Sequence, residues 1–195
     1  MNKRLFIAID PPETVRERLG LLCCGLPDAR WTAPEQLHFT LCFIGEVDGA
    51  AFLDIREALA GVTTAPFDLR VQGVGFFPPR GQPRVVWAGI EPCEPLMMLQ
   101  RKMVTLLLRM GIELENRKYS PHLTLARLQH TPASKVGKYL MENGLFSGGS
   151  FTVDRFALYS SVLGRKGASH FLEQSYPMGL DHHPGAARHP STEGN

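Results

Sequence analysis

The sequence predicts an α+β fold with two sheet-and-helix lobes, and three observations carry that prediction. Strand-like runs alternate with amphipathic helical segments, the same order recurs in the second half, and one short histidine motif occurs once in each half. The motif reads Leu37-His38-Phe39-Thr40-Leu41 in the first half and Pro121-His122-Leu123-Thr124-Leu125 in the second.

Taken in order, Arg4 to Ile9 reads as a strand, and Asp10-Pro11-Pro12 suits the start of a helix carrying Val15, Leu19 and Leu22 on one face. The first motif lies on a strand from about Leu37 to Ile44. Phe52, Ile55 and Leu59 then fall at helical spacing. Strands follow near Phe67 to Val74 and Arg84 to Ile90, and Gly73, Gly75, Pro78, Pro79 and Gly81 mark a turn between them that can border a site. In the second half a helix presents Leu96, Leu99, Met103, Leu106 and Met110 as one packing stripe. The second motif strand, a helix near Val136 to Met141, and strands near Phe151 to Tyr159 and His170 to Tyr176 complete the order. Residues 1–178 read as a single two-lobed domain. Residues 179–195, rich in Gly, Pro, His and Ser without apolar periodicity, read as a disordered tail.

Composition bounds the function. With 195 residues, 44% hydrophobic and 21% charged, the chain can bury a sizeable core. A formal charge of +2 is too small for a nucleic-acid coat, so a small anionic ligand or an RNA end fits better than a long duplex. Cys23, Cys24, Cys42 and Cys93 have neither metal-ligand spacing nor the density of a secreted scaffold, and read as reduced core thiols. No apolar run approaches membrane-spanning length and Met1 to Asp10 lacks a signal-peptide core, which points to the cytoplasm.

Strand geometry gives the motif its chemistry. Side chains two apart share a face, so His38 projects with Thr40 and His122 with Thr124, while the apolar residues between them anchor a core. A single His-x-Thr on a strand is ordinarily a half-buried histidine with a satisfied hydrogen bond. Two copies in matched settings, 122 − 38 = 84 residues apart, can instead supply one protonated and one neutral imidazole near neutral pH, a general acid and a general base. Phe67 and Phe151 are also 151 − 67 = 84 apart, although few other positions match at that offset. The offset is therefore read as structural similarity between the halves.

The paired tetrapeptides His38-Phe39-Thr40-Leu41 and His122-Leu123-Thr124-Leu125 resemble the signatures of the two-histidine (2H) phosphoesterases. Arg4 to Ile9, Arg30-Trp31, Pro121 to Arg127 and Leu163 to Ala168 narrow the likeness to the bacterial and archaeal RNA 2',3'-cyclic phosphodiesterases, also called 2'-5' RNA ligases. The resemblance covers about residues 1–178. It implies a bilobed duplication with antiparallel sheets, flanking helices and a central cleft. It also implies hydrolysis of RNA 2',3'-cyclic phosphate ends to 2'-phosphates, with His122 as general base toward water and His38 as general acid toward the ribose 3' oxygen; the sequence alone also admits the reverse assignment. One departure stands out, because members of the family often have a tyrosine in the Gly-Ala-x-Tyr position, where this chain has His170. That residue either lines the ligand site or is a tolerated exchange.

Within that reading, Thr40 and Thr124 donate hydrogen bonds to nonbridging phosphate oxygens as charge grows. Arg127 adds a fixed positive charge or a stacking plane, or is a surface arginine without a role. Phe6, on the face opposite Leu5, Ile7 and Ile9, either stacks on a base or packs in the core. No metal or other cofactor is expected: neither motif holds Cys, Asp or Glu at ligand spacing, and His182, His183 and His189 fall in the tail. The expected partners are RNA ends or nucleotides with a 2',3'-cyclic phosphate, bound by a monomer. Reverse 2'-5' RNA joining ranks as a side reaction, since no phosphate-binding Gly-Lys loop is present to draw on a nucleotide. The alternative function is a non-catalytic module of the same fold that binds a nucleotide or RNA end.

Overall fold

A computed structural model describes residues 2–115, 118–164 and 167–179 of the chain. The elements run β1 (Lys3–Ile9), α1 (Glu13–Gly20), β2 (Ala29–Trp31), a 3-10 turn (Pro34–Gln36), β3 (Phe39–Val47), α2 (Gly49–Ala60), β4 (Phe67–Phe77) and β5 (Val85–Ile90). They continue with α3 (Glu94–Arg109), β6 (His122–Leu128), α4 (Ala133–Asn143), β7 (Ser147–Val153), β8 (Arg155–Gly164) and β9 (Gly167–Pro177).

All the strands join one antiparallel sheet in the order β7-β4-β5-β6-β3-β1-β8-β9, with β2 added beside β6. The two halves of that order meet where β3 lies against β6, through the pair Phe39 and Leu123. The predicted two-lobed α+β organisation is therefore present as two four-strand halves of a continuous sheet. One face is apolar: Leu5, Ile7, Ile9, Phe39, Leu41, Leu69, Val71, Leu123 and Leu125 are buried there with Val15 and Leu19 of α1, Ile55 and Leu59 of α2, and Leu96, Leu99 and Met103 of α3. Burying these side chains against the helices is the main driving force for the fold. The histidine face lies on the other side.

The 84-residue offset holds for β3-α2 against β6-α4, where α2 begins at Gly49 and α4 at Ala133. It fails for Phe67 and Phe151. Their strands β4 and β7 are direct neighbours in one half, with Leu69 opposite Phe151, so they are not counterparts across the duplication. The single strand predicted from Phe151 to Tyr159 is two: β7 ends at Val153, and β8 begins at Arg155 in the other half of the sheet. Gly73 and Gly75 lie inside β4, where a turn was predicted. Gly73 takes a φ of 71° at an irregularity in the β4–β5 ladder, and Gly75 makes room for Trp87, whose ring would sit 2.2 Å from a Cβ there.

The α3 stripe buries Leu107, where Leu106 was expected. Among the cysteines Cys42 is buried, Cys23 and Cys93 are half-buried and Cys24 is exposed, so the reading as core thiols fails for Cys24. Gly179 bridges Thr64; the rest of the proposed tail, including His182, His183 and His189, lies outside the described residues. Among the described residues no helix is long and apolar enough to cross a membrane.

Candidate active site

The two motifs arrive at the sheet in matched form. His38 comes immediately before β3 and His122 is the first residue of β6. In each, Nδ1 lies 2.7 Å from the carbonyl oxygen two residues earlier, Gln36 for His38 and Ser120 for His122. A carbonyl can only accept, so Nδ1 carries the proton and donates it. Nε2 is thereby left free in both rings, a tautomer fixed by the backbone itself.

Thr40 and Thr124 are half-buried on the histidine face, between the buried pairs Phe39/Leu41 and Leu123/Leu125. Strict alternation would then turn Arg127 into the core with Leu123 and Leu125. The β5–β6 ladder instead shifts between Trp87 opposite Thr124 and Val86 opposite Ala126. That bulge buries Leu125 and Ala126 in succession and brings Arg127 out exposed. The same irregularity recurs in β3, where Leu41 and Cys42 are both buried and Phe43 emerges 57% exposed. Phe43 and Arg127 are thus counterparts in the two halves, one aromatic and one cationic.

Each imidazole has an aromatic backing. His38 sits against Phe6 at 4.9 Å between ring centres, and Phe6 stacks on Tyr159 at 5.3 Å. The Tyr159 hydroxyl donates to Asp10 at 2.6 Å, and Arg16 approaches the same carboxylate at 3.8 Å. On the other side Phe77 meets His122 edge-on at 4.9 Å and packs on Trp87 at 5.3 Å. Phe6 is on the face opposite Leu5, Ile7 and Ile9, as its spacing predicts, but it is only 2% exposed beneath His38, Phe43 and His170.

Burial dominates the electrostatics. It pushes the His38 imidazole down to about 4, with His170 and Arg16 opposing its charge and the Gln36 carbonyl and Asp10 favouring it. Burial also lowers His122, helped by the charge of Arg127, and lowers His170 in the same two ways. Arg127 therefore acts on imidazoles from both halves. Arg30 of β2 pairs directly opposite it, which puts two exposed guanidinium side chains on one face. Among the described residues neither has a carboxylate partner, so the pair forms a standing attraction for an anion. Among the same residues no group of three or more His, Cys, Asp or Glu side chains converges in a way that could hold a metal ion.

Sequence reasoning missed Arg30 as a site residue, along with Phe43, Phe77 and Trp87. Their signal is cross-strand register, which a linear motif does not carry. Among the described residues three buried polar side-chain atoms also lack a hydrogen-bond partner: Trp87 Nε1, the Tyr119 hydroxyl and His170 Nδ1. Trp87 borders His122, its ring centre 6.3 Å away, and His170 borders His38.

The chain is similar to known proteins in sequence and in fold. The RNA 2',3'-cyclic phosphodiesterase of Archaeoglobus fulgidus is 35% identical over 170 residues, spanning 84% of this chain and 94% of that one. The protein of the same description from Thermotoga maritima is 37% identical over 166 residues, 82% of this chain and 87% of that one. The crystal structure of E. coli LigT complexed with 3'-AMP matches 92% of this chain and 100% of its own, with a TM-score of 0.77 at 25% identity. Thermus thermophilus TT0787 matches 89% and 97%, with a TM-score of 0.71 at 31% identity. The sequence profile of the 2'-5' RNA ligase superfamily matches residues 7–165 and takes in both histidine motifs, so the chain belongs to that superfamily.

Proposed function

We propose that this protein hydrolyses RNA 2',3'-cyclic phosphate ends to 2'-phosphates by metal-independent acid–base catalysis between His38 and His122. The observation that carries the reading is the matched tautomer lock, which leaves one free Nε2 on each side of the β3–β6 seam. The relatives named RNA 2',3'-cyclic phosphodiesterase support the substrate class, and the 3'-AMP held by E. coli LigT supports a nucleotide ligand.

In this mechanism a water oxygen attacks phosphorus and gives its proton to Nε2 of His122. The bond from phosphorus to the ribose 3' oxygen breaks on the opposite side, and that oxygen takes the proton that Nε2 of His38 carries when the ring enters the step as the imidazolium. The products are a 2'-phosphate and a free 3' hydroxyl, with proton exchange to solvent restoring both imidazoles. Thr40, Thr124 and Arg127 face the nonbridging oxygens, and Arg30 reinforces the charge of Arg127. The asymmetry between Phe43 and Arg127 supports the direction: the phosphate charge is drawn to the His122 half and a base can stack on Phe43 beside His38. Phe6 serves as the floor under His38.

Ring opening is reversible in principle, so 2'-5' joining with a 5' hydroxyl is a side reaction of the same groups. A monomer in the cytoplasm, with residues 1–178 as one domain, completes the reading. The test is an oligoribonucleotide ending in a 2',3'-cyclic phosphate, incubated with EDTA and followed by phosphorus NMR. A 2'-phosphate formed by the parent and lost in His38→Ala and His122→Ala is the expected result. Binding without turnover would replace it with a binding module.

A further inference from the structure

His170 lies outside both motifs, on β9, yet its ring centre is 5.2 Å from that of His38 and meets it edge-on at 87°. It also stands edge-on to Phe6 at 4.9 Å. Its Nδ1 is buried and has no hydrogen-bond partner. A proton on that shut-off Nδ1 would have nothing to accept it, so the neutral ring carries its N–H on the other nitrogen, Nε2, which is not buried. The neighbouring elements offer nothing to claim it. Tyr159 of β8 has its hydroxyl committed to Asp10, which Arg16 of α1 also approaches. His38 before β3 has Nδ1 committed to Gln36. Phe6 of β1 is apolar, and Arg127 of β6 is itself a cation.

We propose that His170 is a further hydrogen-bond donor to the substrate phosphate, acting through Nε2 with Thr40, Thr124 and Arg127 from the His38 side of the site. A nonbridging phosphate oxygen is the acceptor that its surroundings lack, and it would bridge the field shared by His170 and Arg127. Burial and the Arg127 charge hold His170 below its ordinary value of 6.5, so near neutral pH it is an uncharged ring with a single N–H to give. Its contribution is to binding and alignment; proton transfer stays with His38 and His122. The inference rests on the phosphodiesterase reading for its substrate, while the donor itself can be measured with phosphate alone.

The experiment compares the parent with His170→Phe, which keeps a ring against Phe6 and His38 but has no donor, and with the isosteric pair His170→Asn and His170→Leu. Inorganic phosphate binding is read by calorimetry, and KM and kcat are read on the cyclic-phosphate oligonucleotide. Phosphate affinity and KM should each worsen about tenfold in the Phe and Leu variants and recover in Asn, with kcat changing less. Thermal melts separate loss of fold from loss of donor. Equal phosphate binding in the parent and the folded Phe variant, or equal loss in folded Asn and Leu, overturns the inference. A parent that binds phosphate through His170 but does not turn over the oligonucleotide overturns the phosphodiesterase reading and leaves the donor standing.

Discussion

Phe39 pairs with Leu123 where the two halves of the sheet join, and both side chains are 0% exposed. Carrying that antiparallel register one residue either way sets His38 opposite Thr124 and Thr40 opposite His122. The seam therefore determines how far apart the two imidazoles stand. Leu123→Ala should cost about 2–5 kcal/mol by opening a cavity at that seam, measured by denaturant unfolding. It should also lower kcat in the fraction that remains folded, and unchanged kcat would show that the seam does not set the spacing.

Removing either imidazole should slow cyclic-phosphate hydrolysis by roughly 10²-fold to 10⁴-fold. The double replacement His38→Ala/His122→Ala should lose little beyond the worse single change, because acid and base act on the same step. Turnover assays on the three variants decide this, and full activity in His38→Ala would remove the acid from the mechanism.

The pH dependence follows from burial. The acid form of His38 is lost as pH rises above its lowered value of about 4, and the base form of His122 is lost as pH falls below its own lowered value. The kcat/KM profile of the free enzyme should therefore peak on the acid side of 6.5, the ordinary value of both rings. A bound phosphate anion raises both imidazoles, so the kcat profile should peak at higher pH. Coincident profiles would count against the phosphate lying between them.

The same burial makes a stability prediction. The folded value of His38 is below its unfolded value, so the unfolded chain binds more protons between about 4 and 6.5, and stability falls as pH drops through that window. The contribution is about 3 kcal/mol. Chemical denaturation of His38→Gln should show a shallower decline over that range than the parent.

Arg127→Ala should raise KM about 10-fold to 100-fold through loss of a charged phosphate contact. It should also shift the His122 limb of the pH profile upward, because the guanidinium charge is among the causes that lower His122. Arg30→Ala should have the smaller effect of the two. Kinetics across pH and salt separate these outcomes.

Much of the fold was legible because its signals are local. The His-x-Thr alternation, the Val15/Leu19 and Ile55/Leu59 spacings, and the Asp10-Pro11-Pro12 start of α1 each depend on neighbours within a turn or a strand. The features that shape the site were not. The bulges after Leu41 and Leu125 depend on β1 and β5, the break at Asp154 reflects which half of the sheet each strand joins, and Gly75 reads as a turn residue until Trp87 is seen across the ladder. His170 likewise reads only as a departure from a family pattern until its ring is found beside His38.

The backbone carbonyls of Gln36 and Ser120 have a wider consequence. Many catalytic histidines are oriented by a carboxylate from a distant part of the chain, so loosening the fold scrambles the tautomer before anything else fails. Here each imidazole carries its orienting group two residues away. Gradual loosening of this protein should leave two chemically competent halves that drift out of line, and activity should fade through misalignment while the titration of each ring persists.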